Sequence, residues 1–87
     1  MKELKCILAH KEGLHARPAA KLAQLASTYH GRIDIIYQDF HMTLKSIIGL
    51  MSLGISEGCE FLIQVEGHDE ETFMHQIKSF LIEEELI

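Results

Sequence analysis

The sequence predicts a two-layer α+β fold, an antiparallel or mixed sheet with helices on one face. Three observations carry that reading. The hydrophobic period switches between two and about 3.6 along the chain, in the order β-α-β-β-α-β-α. Eighty-seven residues leave room for one core, so 1–87 reads as a single domain. Hydrophobic residues at 47% and charged residues at 24%, with one proline and six glycines, exclude disordered, collagen-like and low-complexity chains.

Lys2 to Ala9 alternates, with Leu4, Cys6 and Leu8 on one face, and reads as a strand. Lys11-Glu12-Gly13 is a turn. From Ala16 the period becomes helical, and Ala19, Leu22, Ala23 and Ala26 form one stripe. Pro18 fits the first turn, where its missing N–H costs nothing. Tyr29-His30-Gly31 is expected to end this helix, with Gly31 in the left-handed position after it.

Arg32 to Tyr37 alternates again, Gln38-Asp39 reads as a hairpin turn, and Phe40 to Thr43 as the return strand. Ser46 as an N-cap and Gly54 as a stop frame a short apolar helix over Ile47 to Leu53. Glu57-Gly58 is a turn, and Glu60 to Glu66 is the last strand, burying Phe61, Ile63 and Val65. Asp69-Glu70-Glu71 opens a final helix with acid at the end its dipole prefers, and Phe73, Ile77, Phe80 and Leu81 form its buried stripe. Glu83 to Glu85 oppose the dipole at the other end, so fraying is expected there. Ile7, Ile36 and Leu62 fall on the face away from the helices, and that small apolar patch predicts a weak dimer through the uncovered sheet.

A formal charge of −5 disfavours a general nucleic-acid binder, and no direct nucleic-acid contact is expected. Lys11, Arg17, Lys21 and Lys45 nevertheless fall in two segments of the first half, whereas the second half carries most of the acid. A local basic patch of this kind suits a small anion or an acidic partner surface. No apolar run approaches a membrane span and the first residues form no signal peptide, so a cytoplasmic protein without membrane insertion is expected. Cys6 and Cys59 lie in apolar strand-like runs and read as small hydrophobes, with nothing to support a disulfide between them. The six histidines and two cysteines show no zinc-ligand spacing, and neither a metal nor a cofactor is expected.

The most informative stretch is Gly13-Leu14-His15-Ala16-Arg17-Pro18-Ala19. It places a histidine between a glycine turn and the start of a helix. The first free N–H groups, at Ala16 and Arg17, and the positive end of the dipole lie beside its ring. An imidazole there is kept neutral and nucleophilic more easily, and once phosphorylated it presents an anion to those donors. Arg17 adds a guanidinium able to bond a phosphoryl oxygen in bidentate fashion. A bare Gly-x-His would read as an ordinary cap; Arg17, Pro18 and the small Ala16 and Ala19 together reverse that balance. The second stretch runs from Lys45-Ser46 through Ile47-Ile48-Gly49-Leu50-Met51 to Ser52-Leu53. It holds more apolar residues than one face of a short helix can bury. Some of Ile47, Ile48, Leu50 and Met51 are therefore expected to be exposed, and together with Lys21 to form a docking surface.

With both stretches in view, the chain resembles HPr, the histidine-containing phosphocarrier family of the bacterial phosphoenolpyruvate:sugar phosphotransferase system. The resemblance rests on the G-L-H-A-R-P-A element, the K-S-I-x-G-L-M-S-L-G element and the element order between and after them, over almost the whole chain. It implies an open-faced sandwich, a four-stranded antiparallel sheet covered by three helices. It also implies that His15 accepts a phosphoryl group on Nδ1 from enzyme I and passes it to a sugar-specific enzyme IIA, as a carrier without substrate turnover of its own. Ser46 aligns with the regulatory serine of Gram-positive members, phosphorylated by HPr kinase/phosphorylase to bind the catabolite-control repressor. Glu12, where the family usually has a small or polar residue, is expected to oppose an incoming phosphoryl charge by roughly 1 kcal/mol. Two other classes fit the residues less well. One is a regulatory relative of HPr that acts in carbon catabolite repression by binding a repressor through phosphorylated Ser46 and the short helix, disfavoured because His15 is present. The other is an unrelated ferredoxin-like module for a small ligand, disfavoured by the terminal helix and the paired motifs.

Overall fold

In the computed structural model, which describes residues 1–87, the elements run in the expected order. They are β1 (Lys2–Ile7), α1 (Ala16–Ser27), β2 (Arg32–Tyr37), β3 (Phe40–Thr43), α2 (Ile47–Ser52), β4 (Glu60–Glu66) and α3 (Glu70–Glu83). The sheet order is β1-β4-β2-β3, and every neighbouring pair is antiparallel. Of the two sheet types the period allowed, it is the antiparallel one. The register explains why one face is greasy and the other mixed. Leu4, Ile63, Ile35 and Met42 form one row across all four strands, and Lys5, Leu62, Ile36 and His41 form the next. Successive side chains point to opposite faces, so the first row meets the helices and the second does not.

On the covered face, α1 buries Pro18, Ala19, Leu22, Ala23 and Ala26, mostly small residues that let it approach closely. Helix α3 buries Phe73, Met74, Ile77 and Leu81. The stripe keeps Phe73, Ile77 and Leu81 of the expected one and differs in one exchange: Met74 is buried and Phe80 only half-buried. One core cluster joins both helices to the inward rows of the sheet and to Leu44, Leu50 and Leu53 around α2. Cys6 belongs to it, and burial pushes its thiol up to about 11, so it packs as an inert small hydrophobe. Cys59 is also a free thiol.

Two ends differ from expectation. Helix α1 stops at Ser27, and Gly31 does not adopt the left-handed conformation. A glycine is needed there for close approach instead. A Cβ on Gly31 would lie 2.5 Å from Cε2 of Tyr29 and 2.6 Å from the carbonyl oxygen of Glu66. Tyr29 is held in that place by stacking on Phe73, with ring centroids 4.4 Å apart, and by its hydroxyl donating to the His68 carbonyl at 2.8 Å. The far end of α3 is not frayed. Glu85 takes the left-handed position, Leu86 N–H donates to the Leu81 carbonyl and Glu85 N–H to that of Ile82. That is a Schellman closure with glutamate in place of glycine, and the complete burial of Leu86 outweighs both the strained φ and the unfavourable dipole.

The uncovered face is mixed. Ile7 is 59% exposed, while Ile36 and Leu62 are half-buried. Asp34 projects from the same face yet is buried, because its Oδ2 accepts from Arg32 Nε at 2.8 Å and from His41 Nε2 at 2.9 Å. No helix is long and apolar enough to cross a membrane.

Candidate functional site

The segment between β1 and α1 is pinned from several sides, and this sets His15. Leu8 bonds the 58–59 backbone in both directions, and Ala9 N–H donates to the Leu86 carbonyl at 2.8 Å. A tight turn follows, closed by Gly13 N–H on the His10 carbonyl, and Leu14 N–H then donates to Ile55 at 3.0 Å. Gly13 has φ +72, and a Cβ there would come within 2.6 Å of the Ile55 carbonyl oxygen, so both conformation and space demand glycine. Leu14 is buried, and its neighbour His15 is turned out as the N-cap of α1.

The His15 side chain makes no cap bond. Its carbonyl accepts from Ala19, the first bond of the helix, so the amides of Ala16 and Arg17 are left without an acceptor, and Pro18 has none to offer. His15 is partly exposed, at 37% of its side chain. Its Nδ1 lies 3.2 Å from the Gly13 carbonyl oxygen, and its Nε2 lies 3.9 Å from Oε2 of Glu12. The His10 ring packs beside it at a centroid distance of 4.9 Å, and His10 Nδ1 accepts from the Glu12 N–H at 3.1 Å. The sequence had singled out neither His10 nor a Glu12 contact to the far nitrogen; the only signal was their proximity to His15 in a loop whose path no period dictates.

The basic patch is smaller than expected. Arg17 is exposed and its guanidinium has neither an ion pair nor a hydrogen bond, leaving it free for an incoming anion. Lys21 is exposed but pairs with Glu84 at 3.3 Å. Lys45 is not part of the patch: its Nζ donates to the carbonyls of Tyr29 at 2.7 Å and Gly31 at 3.2 Å, tying the end of α1 to the start of β2.

Ser46 is the N-cap of α2, its hydroxyl accepting from Gly49 N–H at 3.0 Å. Helix α2 packs against α1. Its apolar residues divide sharply: Ile48 is 82% exposed, Met51 47% and Ile47 39%, whereas Leu50 is fully buried. The expectation that Leu50 docks a partner is therefore corrected; it faces α1 and the core, and three residues form the exposed patch. The largest cavity, about 430 Å³ between Tyr29, Phe73 and His68, lies at the other end of α1 and includes neither His15 nor Ser46.

This arrangement sets a partly exposed imidazole beside backbone N–H groups that lack acceptors, with an apolar patch on the neighbouring helix. Residues 2–83 match the family model described as the PTS HPr component phosphorylation site. The chain is 39% identical over 87 residues to the phosphocarrier protein HPr of Mycoplasma capricolum, covering all of this chain and 98% of that one. A solved structure of the histidine-containing phosphocarrier protein of Mycoplasma superposes with a TM-score of 0.95 at 38% identity, over 99% of this chain and 98% of the other. An HPr dimer from Thermoanaerobacter tengcongensis matches at 0.72 with 40% identity, over 97% of this chain and 95% of that one.

Proposed function

The chain belongs to the HPr family of phosphocarrier proteins of the phosphotransferase system, and on that premise we propose that it relays a phosphoryl group through His15. The group comes from phosphoenolpyruvate by way of enzyme I, is held on Nδ1, and goes on to a sugar-specific enzyme IIA in the cytoplasm. The observation that carries the reading is the helix N-terminus at His15, with two unpaired amides and an uncommitted Arg17 next in the chain to a partly exposed ring. In the transfer the Nδ1 lone pair forms a bond to phosphorus as the donor's bond breaks, its electrons leaving with the donor. The arriving oxygens are met by the amides of Ala16 and Arg17, fixed by the start of the helix, and by the mobile guanidinium of Arg17. His15 lies in the open rather than in a cavity, which suits a protein donor over a small buried substrate. Lys21, Ile47, Ile48 and Met51 supply the surface on which such partners dock.

Incubation with enzyme I and phosphoenolpyruvate should add one phosphoryl group, acid-labile and base-stable, that an enzyme IIA then removes. A wild-type chain that takes up none would end this reading.

A second reading adds regulation at Ser46, because its hydroxyl caps α2 directly beside the exposed Ile47, Ile48 and Met51. A phosphate there brings about −2 charge to this end of α2 and repels the acidic partner surface that seeks Arg17. HPr kinase with ATP should label wild type and not Ser46→Ala, and the labelled protein should accept a phosphoryl group at His15 more slowly and bind the catabolite-control repressor. Ser46→Ala alone should cost about 1 kcal/mol through the lost cap. Absence of label in wild type would leave Ser46 as a cap only.

Self-association is part of the same proposal, weak and through the uncovered sheet. Sedimentation at high concentration should detect a dimer that Leu62→Lys removes. A strictly monomeric wild type would reduce Ile7, Ile36 and Leu62 to scattered surface residues.

A further inference from the structure

The two nitrogens of the His15 ring each face an acceptor: the Gly13 carbonyl oxygen 3.2 Å from Nδ1, and the Glu12 carboxylate 3.9 Å from Nε2. A neutral imidazole has one proton to share between them. With the proton on Nδ1, the bond to Gly13 is made and the attacking nitrogen is closed. With the proton on Nε2, the N–H faces a carboxylate that is too distant for a hydrogen bond and acts on it through its charge, and Nδ1 keeps its lone pair. We propose that Glu12 is a positioning residue for His15, drawing the ring proton to Nε2 and so presenting Nδ1 to the phosphoryl donor. The inference rests on the reading of His15 as the acceptor at Nδ1.

Three features of the loop support it. Glu12 has no other cationic partner, although Lys11 and Arg17 are near in sequence. Its backbone N–H donates to His10 Nδ1, so the residue is anchored next to the ring that it addresses. The His10 ring, 4.9 Å from that of His15 and tilted by 39°, limits how the His15 ring can turn. On sequence grounds alone the carboxylate only repels the incoming charge. The geometry puts it 3.9 Å from the ring nitrogen that does not react, within reach of its charge but not of a hydrogen bond.

The step balances without a proton leaving. Nδ1 bonds to phosphorus, the donor's bond breaks with its electrons, and the proton stays on Nε2. The ring is then left with a positive charge that the Glu12 carboxylate offsets. When the group moves on, the bond electrons return to Nδ1 and the neutral ring is restored in the same tautomer.

The test is ¹⁵N NMR of the His15 ring in its neutral form, with single-turnover phosphorylation by enzyme I, for wild type, Glu12→Ala and Glu12→Gln. The His15 side chain is partly exposed and that of Glu12 largely so, and the effect is that of a solvated pair. Glu12→Ala should raise the Nδ1–H to Nε2–H ratio about threefold and slow phosphorylation by a similar factor, with Glu12→Gln in between. High salt should narrow the differences. An unchanged tautomer ratio would overturn the proposal, and so would Glu12→Ala accepting the group as fast as or faster than wild type at low salt. If wild-type His15 accepts no phosphoryl group, the functional reading falls, while the tautomer ratio by itself still decides whether Glu12 holds the ring proton.

Discussion

Leu50→Ala should lower the free energy of unfolding by about 2–5 kcal/mol, whereas Ile48→Ala should change it by no more than about 0.5 kcal/mol. The two residues are nearly adjacent on a six-residue helix and chemically alike. They differ in what surrounds them: Leu50 is completely buried, and Ile48 is the most exposed large hydrophobe of the chain at 82%. Removing Leu50 leaves a cavity in the cluster that seats α2 against α1, and in a domain of this size the melting temperature should fall by roughly 10 °C or more. Ile48→Ala opens no cavity and should act only on partner affinity. Chemical denaturation of both variants checks this, and equal losses would mean that α2 sits in a different rotation about its axis.

Arg17→Ala should slow phosphoryl uptake from enzyme I by about tenfold or more, the scale of one charge-assisted hydrogen bond lost from the transition state. The guanidinium is exposed and makes no ion pair or hydrogen bond, so nothing in the fold depends on it and the melting temperature should hardly move. That combination, slow transfer at full stability, separates a group that meets the phosphoryl oxygens from one that shapes the loop. Gly13→Ala would do the reverse, since its Cβ meets the Ile55 carbonyl oxygen at 2.6 Å. Uptake by Arg17→Ala at the wild-type rate would remove Arg17 from the site.

What the sequence made legible follows its periods and its local chemistry. Strands β1, β2 and β4 and helices α1 and α3 carry enough residues for the hydrophobic period to declare their type and, apart from the exchange of Met74 for Phe80 on α3, their inward face, and the Ser46 cap and the Gln38-Asp39 turn are decided within four residues. The short helix is the limit of that logic. Six residues do not define a phase, so the period could not say that Leu50 turns in and Ile48 out.

The remaining differences arise from contacts between distant segments. Gly31 is required by Tyr29 and by Glu66 on the neighbouring strand, not by a helix end. Lys45 is used up by the carbonyls of residues 29 and 31. Glu85 adopts a left-handed conformation because burying Leu86 outweighs the strain. At the site, the motif identified His15 and Arg17, but the ring's neighbours His10, Glu12 and Gly13 come from a loop shaped by hydrogen bonds to residues 55, 59 and 86.

Whether the phosphoryl group passes through His15 alone is decided by intact mass after exposure to enzyme I and phosphoenolpyruvate. Wild type should gain the mass of one phosphoryl group, lose it in acid and keep it in base, and His15→Ala, at unchanged secondary structure, should gain nothing. His10 is the control that matters, because its ring lies against that of His15. His10→Ala should still be labelled. A phosphoryl group on His15→Ala, or its loss in His10→Ala with His15 intact, would contradict the account.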